Sequence, residues 1–278
     1  MSALKTLLVH LDASPTGLAR LTLAHQWATQ HDSLVSVLYA TTPADLLYPL
    51  GFGTGYEAAA LLDDLEATRR NHAKGLFDSA VASGMTRLQW SELGRQESLS
   101  AFVEQAFYAD LVVLGQREPE SVSSQGVPAD FVEWVVMDSG KPTLVLPYIG
   151  VDAQPARKVL VAWKPSRESA RAVAAALPLL QAAAQVDVVW WHEPGRSADD
   201  ASVALLAYLQ RHGISAIAHA CGEASAEMGD LLLSRCSDLA SDLLVMGCYG
   251  HTRAREWVLG GVTRTLLRSM TLPVLMVH

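Results

Sequence analysis

Cysteine is scarce in this chain: three among 278 residues, Cys221, Cys236 and Cys248, all in the C-terminal half. Their separations of 15 and 12 residues match no CxxC metal pair, and they do not build the disulfide framework of a small secreted domain. Cys248 falls inside a glycine-rich stretch and is a candidate for an exposed, reactive thiol; the alternative is a small filler residue. Long apolar runs are missing too. No stretch of about 18 uncharged apolar residues occurs, which argues against a membrane-spanning helix. Basic residues are outnumbered, 21 Lys and Arg against 29 Asp and Glu, for a net charge of −8. Binding nucleic acid over a broad face needs clustered Lys and Arg, so that class is disfavoured. The nine histidines form no HxxxH or HxxEH pattern, which leaves no zinc or iron site in view. Ser14 and Ser166 each follow a strand-like run but neither sits in GxSxG, so a hydrolase triad has no support. The first residues lack the long apolar core of a signal peptide, and a cytoplasmic location is expected.

What is present is apolar material, 50% of the residues, enough for two buried cores of about 140 residues each. The chain repeats one plan. Lys5 to Ser14 (KTLLVHLDAS) is echoed by Arg157 to Ser166 (RKVLVAWKPS), each an apolar strand that ends in a Ser-containing turn before an Ala/Leu-rich helical pattern. Second strands follow at Leu34–Tyr39 and Val186–Trp191. Late in each half Ala109 to Gly115 (ADLVVLG) is echoed by Ser241 to Gly247 (SDLLVMG), and Pro142 and Pro273 each precede a short closing strand. The offset is 152 residues from Val9 to Val161 but 132 from Gly115 to Gly247, so the first copy carries about 20 extra residues, near 41–70. Strands that are apolar almost throughout, alternating with helical stretches, indicate parallel sheets covered on both faces. The expected architecture is α/β: two tandem doubly wound, Rossmann-like domains, at 1–148 and 156–278, each with a five-stranded parallel sheet. Ligands bind such sheets outside the carboxyl ends of the strands, where strand order reverses.

The richest segment lies at one of those ends. After the apolar strand 242–246 come Gly247 and Gly250, nine further residues, then the Gly260-Gly261 pair opening an amphipathic helix that runs to about Met270. Glycine permits close backbone approach, and the free amides of a helix N-terminus favour an anion. His251, Arg253, Arg255 and Arg264 surround this cradle with positive or protonatable groups.

The duplicated plan together with the G-x2-G-x9-G spacing of Gly247, Gly250 and Gly260 resembles the universal stress protein family in a tandem two-domain form. The resemblance spans essentially the whole chain. It implies that ATP or another adenine nucleotide, with magnesium as a candidate companion, binds in the second domain. Phosphates would meet the amides of Gly250, Gly261 and Val262, with His251 and Arg253 beside them, and the ribose would approach Gly247. The adenine would sit near Ala162 and Trp163 on the first strand and near Trp191 or His192 at the end of the second. Thr263 offers a hydroxyl or is an early helix residue. Three departures weaken this picture. The family's hydroxyl residue after the third glycine is Gly261 here. The strand-end acid is Lys164, which either pairs with phosphate or is solvated. The first domain keeps Asp12, but Glu118 stands where Gly250 falls and Ala129-Asp130-Phe131 replaces Gly260-Gly261-Val262, so that copy is read as degenerate.

The resulting expectation is a cytosolic stress-response protein, regulatory rather than strongly catalytic. Hydrolysis would be slow at most, because no general base for water is evident. Its partners would be the nucleotide and an unidentified protein, with no nucleic acid and no membrane. The alternative is a nucleotide-free interaction module in which both sites are relics and Trp257 and Val258 lie at an interface. Family analogy also implies that Thr143–Leu146 pairs antiparallel with Val274–Val277. That would make the chain an intramolecular pseudo-dimer, with a homodimer of chains as a further option.

Overall fold

The computed structural model describes residues 4–42, 56–94, 100–118, 126–151, 156–192, 198–223, 227–248 and 261–278. The chain divides into two compact units, one spanning Leu4–Lys141 and the other containing Pro142–His278. Among the described residues there are ten strands and eight helices.

In the first unit the order is β1 (Thr6–Leu11), α1 (Gly17–His31), β2 (Leu34–Tyr39), α2 (Tyr56–Ala82), β3 (Leu88–Glu92), α3 (Ser100–Ala106), β4 (Leu111–Gly115) and α4 (Phe131–Asp138). The strands lie in the order β3-β2-β1-β4 and all these pairs are parallel. Strand β1 is central, which is why five of its six residues are buried. Covered on both faces, it has no use for polar alternation.

The second unit begins with β5 (Thr143–Leu146) and continues with β6 (Lys158–Ala162), α5 (Arg167–Ala182), β7 (Gln185–His192), α6 (Ala198–Arg211), β8 (Ala216–Glu223), α7 (Met228–Asp238), β9 (Leu243–Gly247), α8 (Gly261–Ser269) and β10 (Val274–Val277). Five strands, β10-β9-β6-β7-β8, form the parallel sheet foreseen from the repeat. Strand β5 adds to it antiparallel, Thr143 opposite Met276, Leu144 opposite Leu275 and Val145 opposite Val274. The antiparallel pair expected from the resemblance is therefore present. The compact units divide at Lys141/Pro142, so β5 groups with the strands of the C-terminal half, although the repeat assigns it to the first copy.

Two features of the repeat have a direct physical cause. Asp110, just before β4, accepts hydrogen bonds from the Lys5 and Thr6 amides at 2.7 and 2.9 Å and from the Thr6 hydroxyl at 3.1 Å. Asp242, just before β9, does the same for Ala156, Arg157 and Lys158, at 2.9, 3.1 and 3.0 Å. Each carboxylate thereby clasps the start of the neighbouring central strand and satisfies amides that no other strand reaches. Partial burial raises the Asp110 pKa, but the Lys5 and Thr6 donors and nearby Lys141 outweigh it and hold that carboxyl below its ordinary range.

The edge strands are the elements that sequence pattern misses. Strand β3 has no buried residue and neither has β8, where Ile217 is half exposed. With one neighbour and a wet face, they carry no continuous apolar run to notice.

The clasp generates a test. Asp242→Ala and Asp110→Ala should each lower stability by about 2–3 kcal/mol, because amides at the strand start lose a charged acceptor. Urea unfolding midpoints of the two variants against the parent chain measure this.

Candidate functional site

Strand β6 is the switch point of the second unit: the chain leaves it for β7 on one side and returns to β9 on the other. The registers Ala162↔Val189 and Ala162↔Met246 bring the ends of β6, β7 and β9 to one edge. Of the residues predicted from sequence, Ala162, Trp163 and Lys164 stand at the end of β6, Trp191 and His192 end β7, and Gly247 ends β9. Trp163 continues the ladder by donating its amide to the Val189 carbonyl at 2.8 Å. Its ring is half-buried, and the indole nitrogen has no hydrogen-bond partner among the described residues. Trp190 is buried in the core, as its position one residue inward requires. Gly261 opens α8, followed by half-buried Val262 and buried Thr263. Gly250, His251, Arg253 and Gly260, with Arg255, Trp257 and Val258, lie outside the described residues.

Gly247, which opens the motif, and Gly261, which follows its third glycine, differ in what surrounds them. A Cβ on Gly247 would run into the Ser169 amide nitrogen and stand 2.5 Å from the Glu168 carbonyl carbon and 2.8 Å from Ser169 Cα. Backbone cannot swing aside, so packing of the first turn of α5 against the end of β9 by itself demands glycine there. That turn is set by Ser166, whose hydroxyl accepts from the Ser169 amide at 3.2 Å as an N-cap. A Cβ on Gly261, in contrast, meets nothing within 4 Å among the described residues. Packing against those residues does not require glycine at the helix start.

Glu168, in the same turn of α5, is a buried acid that sequence reading passed over. Burial pushes its pKa up, but its own amide, the Ser166 hydroxyl, Arg167 and His278 together prevail and hold the carboxyl below its ordinary value. Cys248 is also buried. Burial, with Glu168 adding repulsion, drives its thiol far above the normal range. Of the two readings of Cys248, the small filler residue holds and the exposed, reactive thiol does not: its amide bonds to the Val277 carbonyl at 2.9 Å, continuing the ladder one residue past β9. Cys236 is pushed up to about 12 by burial. Among the described residues no group of His, Cys, Asp and Glu could hold a metal ion.

The first unit has a different arrangement at its matching strand end. Arg20, on the buried face of α1 and 1% exposed, pairs with Asp12 and donates to the Ser14 hydroxyl at 2.6 Å. Ser14 in turn donates to Asp12 at 2.6 Å. Burial acts to raise the Asp12 pKa, yet Arg20, His10 and Ser14 overcome it and hold the carboxyl far below its ordinary range. Gly115 faces this guanidinium: a Cβ there would stand 3.0 Å from Arg20 Nη1 and 3.2 Å from Cζ. The glycines that end β4 and β9 correspond in the repeat, yet one makes room for a side chain and the other for a helix backbone. By the same offset of 152 residues, Arg20 corresponds to Ala172 and Asp12 to Lys164. The one available sequence signal was a lone arginine on the helix face that also carries Leu21 and Ala24. Asp130 is exposed at the N-cap position of α4, and Phe131 is buried against His10 with ring centroids 4.7 Å apart. The His10 Nε2 lies 2.8 Å from the Ala40 carbonyl, which can only accept, so Nε2 carries a proton. Burial pushes the His10 pKa down to about 4, with Asp12 opposing and Arg20 assisting.

Residues 155–278 match the model of the Universal stress protein family. A curated relative, Universal stress protein Slr1230 of Synechocystis sp., is 26% identical over 298 residues, covering 98% of this chain and 99% of its own. A universal stress protein of Archaeoglobus fulgidus has a similar fold, with TM-score 0.72 at 15% identity over 98% of this chain and 95% of that one. A putative universal stress protein of Pseudomonas aeruginosa gives TM-score 0.62 at 17% identity over 99% and 93%.

Two outcomes follow from the buried charges of the first unit. Arg20→Ala should cost about 3–5 kcal/mol, since it strands the Asp12 carboxylate, and Arg20→Ala/Asp12→Ala should cost less than the sum of the single changes. A double-mutant cycle by urea unfolding measures the coupling. The His10 effect runs with pH. Above about 6.5 the ring is neutral in both states and its contribution is complete; as pH falls from 6.5 toward 4, only the unfolded chain takes up the proton. The parent should therefore lose on the order of 3 kcal/mol over that window relative to His10→Gln, the slope being about 1.4 kcal/mol per pH unit. Parallel unfolding curves from pH 7 to 4 test it.

Proposed function

The chain belongs to the universal stress protein family, and on that premise we propose that its C-terminal domain, 156–278, binds ATP or a related adenine nucleotide at the carboxyl edge of the parallel sheet. The observation that carries this reading is the start of α8 at Gly261, directly after the G-x2-G-x9-G spacing that leaves β9 beside the switch point. A Cβ on Gly261 meets nothing within 4 Å among the described residues, which is compatible with a phosphate drawn close to the first amides of α8. In this reading the phosphates meet the amides of Gly250, Gly261 and Val262, with His251, Arg253 and Lys164 as positive neighbours. The base lies against Ala162, Trp163 and Trp191 or His192. The protein acts in the cytoplasm as a stress-response switch whose nucleotide occupancy alters a surface read by a protein partner. The N-terminal domain, 1–148, stays empty of nucleotide, because Arg20 already neutralises Asp12 and because Asp130 and Glu118 add negative charge.

One observation favours the second reading, a nucleotide-free interaction module: packing alone accounts for the glycine at 247. The experiment that separates the two is direct. The purified protein is denatured, filtered and searched for an adenine nucleotide by mass spectrometry, and the stripped protein is then titrated with ATP. Carry-over or binding supports the nucleotide reading; neither, up to millimolar ATP, removes it. Gly250→Glu, which copies the first domain, should abolish binding. Gly261→Ser should tighten it up to about tenfold, the value of one added hydrogen bond to a charged group. Unchanged affinity in both variants would put the ligand elsewhere.

A further inference from the structure

The amides that open α8 can serve a ligand only if the helix is held at the right height and rotation, and one close contact governs both. Helices α7 and α8 lie against one another at Gly229, a buried residue in the first turn of α7. A Cβ on Gly229 would stand 2.6 Å from Thr265 Cβ, 2.7 Å from its Cγ2 and 3.2 Å from its Oγ1. The obstacle is the root of the Thr265 side chain, not its flexible end. The Thr265 Cβ is placed by its own backbone, so no rotation about χ1 can carry it away. Adding one methyl to α7 must therefore move a helix backbone. Thr265 lies four residues, about one helical turn, beyond Gly261. On other sides α8 is held by buried Thr263 and Leu266. The displacement thus reaches the start of the helix, where Gly261 is exposed and a Cβ on it would meet nothing within 4 Å among the described residues.

We propose that Gly229 is a positioning residue for the nucleotide site: by letting the α7 backbone seat directly on Thr265, it sets where the Gly261 and Val262 amides point. This rests on the nucleotide reading of the C-terminal domain. Gly229 touches no ligand in that reading and acts only through α8.

The test uses the full chain and exchanges the methyl between the two helices. The variants are Gly229→Ala, Thr265→Gly and Gly229→Ala/Thr265→Gly, each checked for folding by circular dichroism. Their ATP affinities are measured by titration calorimetry, and the Gly261 and Val262 amide resonances of the nucleotide-free protein by heteronuclear NMR. Gly229→Ala should shift both resonances and weaken ATP about tenfold or more, since misplacement on the ångström scale is enough for such losses. The exchange variant should return the resonances and the affinity to those of Thr265→Gly. It should nevertheless melt below the parent, because Thr265→Gly deletes a half-buried side chain and places glycine in the interior of α8. A purely structural role predicts the reverse, with affinity following melting temperature. Unmoved resonances and unchanged affinity in folded Gly229→Ala overturn the inference while leaving the nucleotide reading intact. Resonances that move and return, in a parent that binds no ATP, overturn the nucleotide reading and with it the role in a site, leaving a helix contact alone.

Discussion

Burial of the inner strands on both faces is the constraint on which the rest depends. Val159, Leu160 and Val161 of β6, and Leu243, Leu244 and Val245 of β9, are fully enclosed. Each such side chain contributes on the order of 1.5–3 kcal/mol by leaving water, and a polar group in the same place would need a partner. Chemistry is therefore expelled to the strand ends. At the amino ends, Asp110 and Asp242 use their charge to hold the next strand. At the carboxyl ends, strand order reverses beside β1 and β6, and glycine, serine and ionisable residues collect there.

The two units solve the same problem at that edge in different ways. In the first, a guanidinium from α1 occupies the space below Gly115 and neutralises Asp12, which leaves a closed, fully buried ion pair. In the second, Arg20 is replaced by Ala172, and the first turn of α5 lies directly against Gly247. The buried acid has moved from the strand end to Glu168, stabilised by its own amide and the Ser166 hydroxyl. One copy is thus sealed by a side chain, and the other by backbone contact with Lys164 left exposed at the strand end. This asymmetry is why the proposed nucleotide site is placed in the second unit alone.

The helix that opens at Gly261 joins these observations to the proposed function. Among the described residues nothing stands within 4 Å of a Cβ on Gly261, while the second turn rests on Gly229 through Thr265. In the nucleotide reading we propose, the first amides of this helix would meet the anion and the Gly229 contact would hold them in place.

The repeat and the strands β1, β2, β4, β6, β7, β9, β5 and β10 were legible in the chain itself. Apolar runs and glycine spacing are local signals, and duplication makes each half a check on the other. The edge strands β3 and β8 were not legible, because exposed strands carry no apolar run. Nor were the pairing of Arg20 with Asp12, the reason for glycine at 247, the burial of Cys248 and Glu168, or the contact of Gly229 with Thr265. Those depend on which surfaces the crossovers bring together: Gly247 meets Ser169 across 78 residues and Gly229 meets Thr265 across 36. Sequence alone determined the repeat and where its apolar strands and glycines fall along the chain. Only tertiary packing decided what each of those residues touches, because a glycine's purpose is set by its neighbour in space.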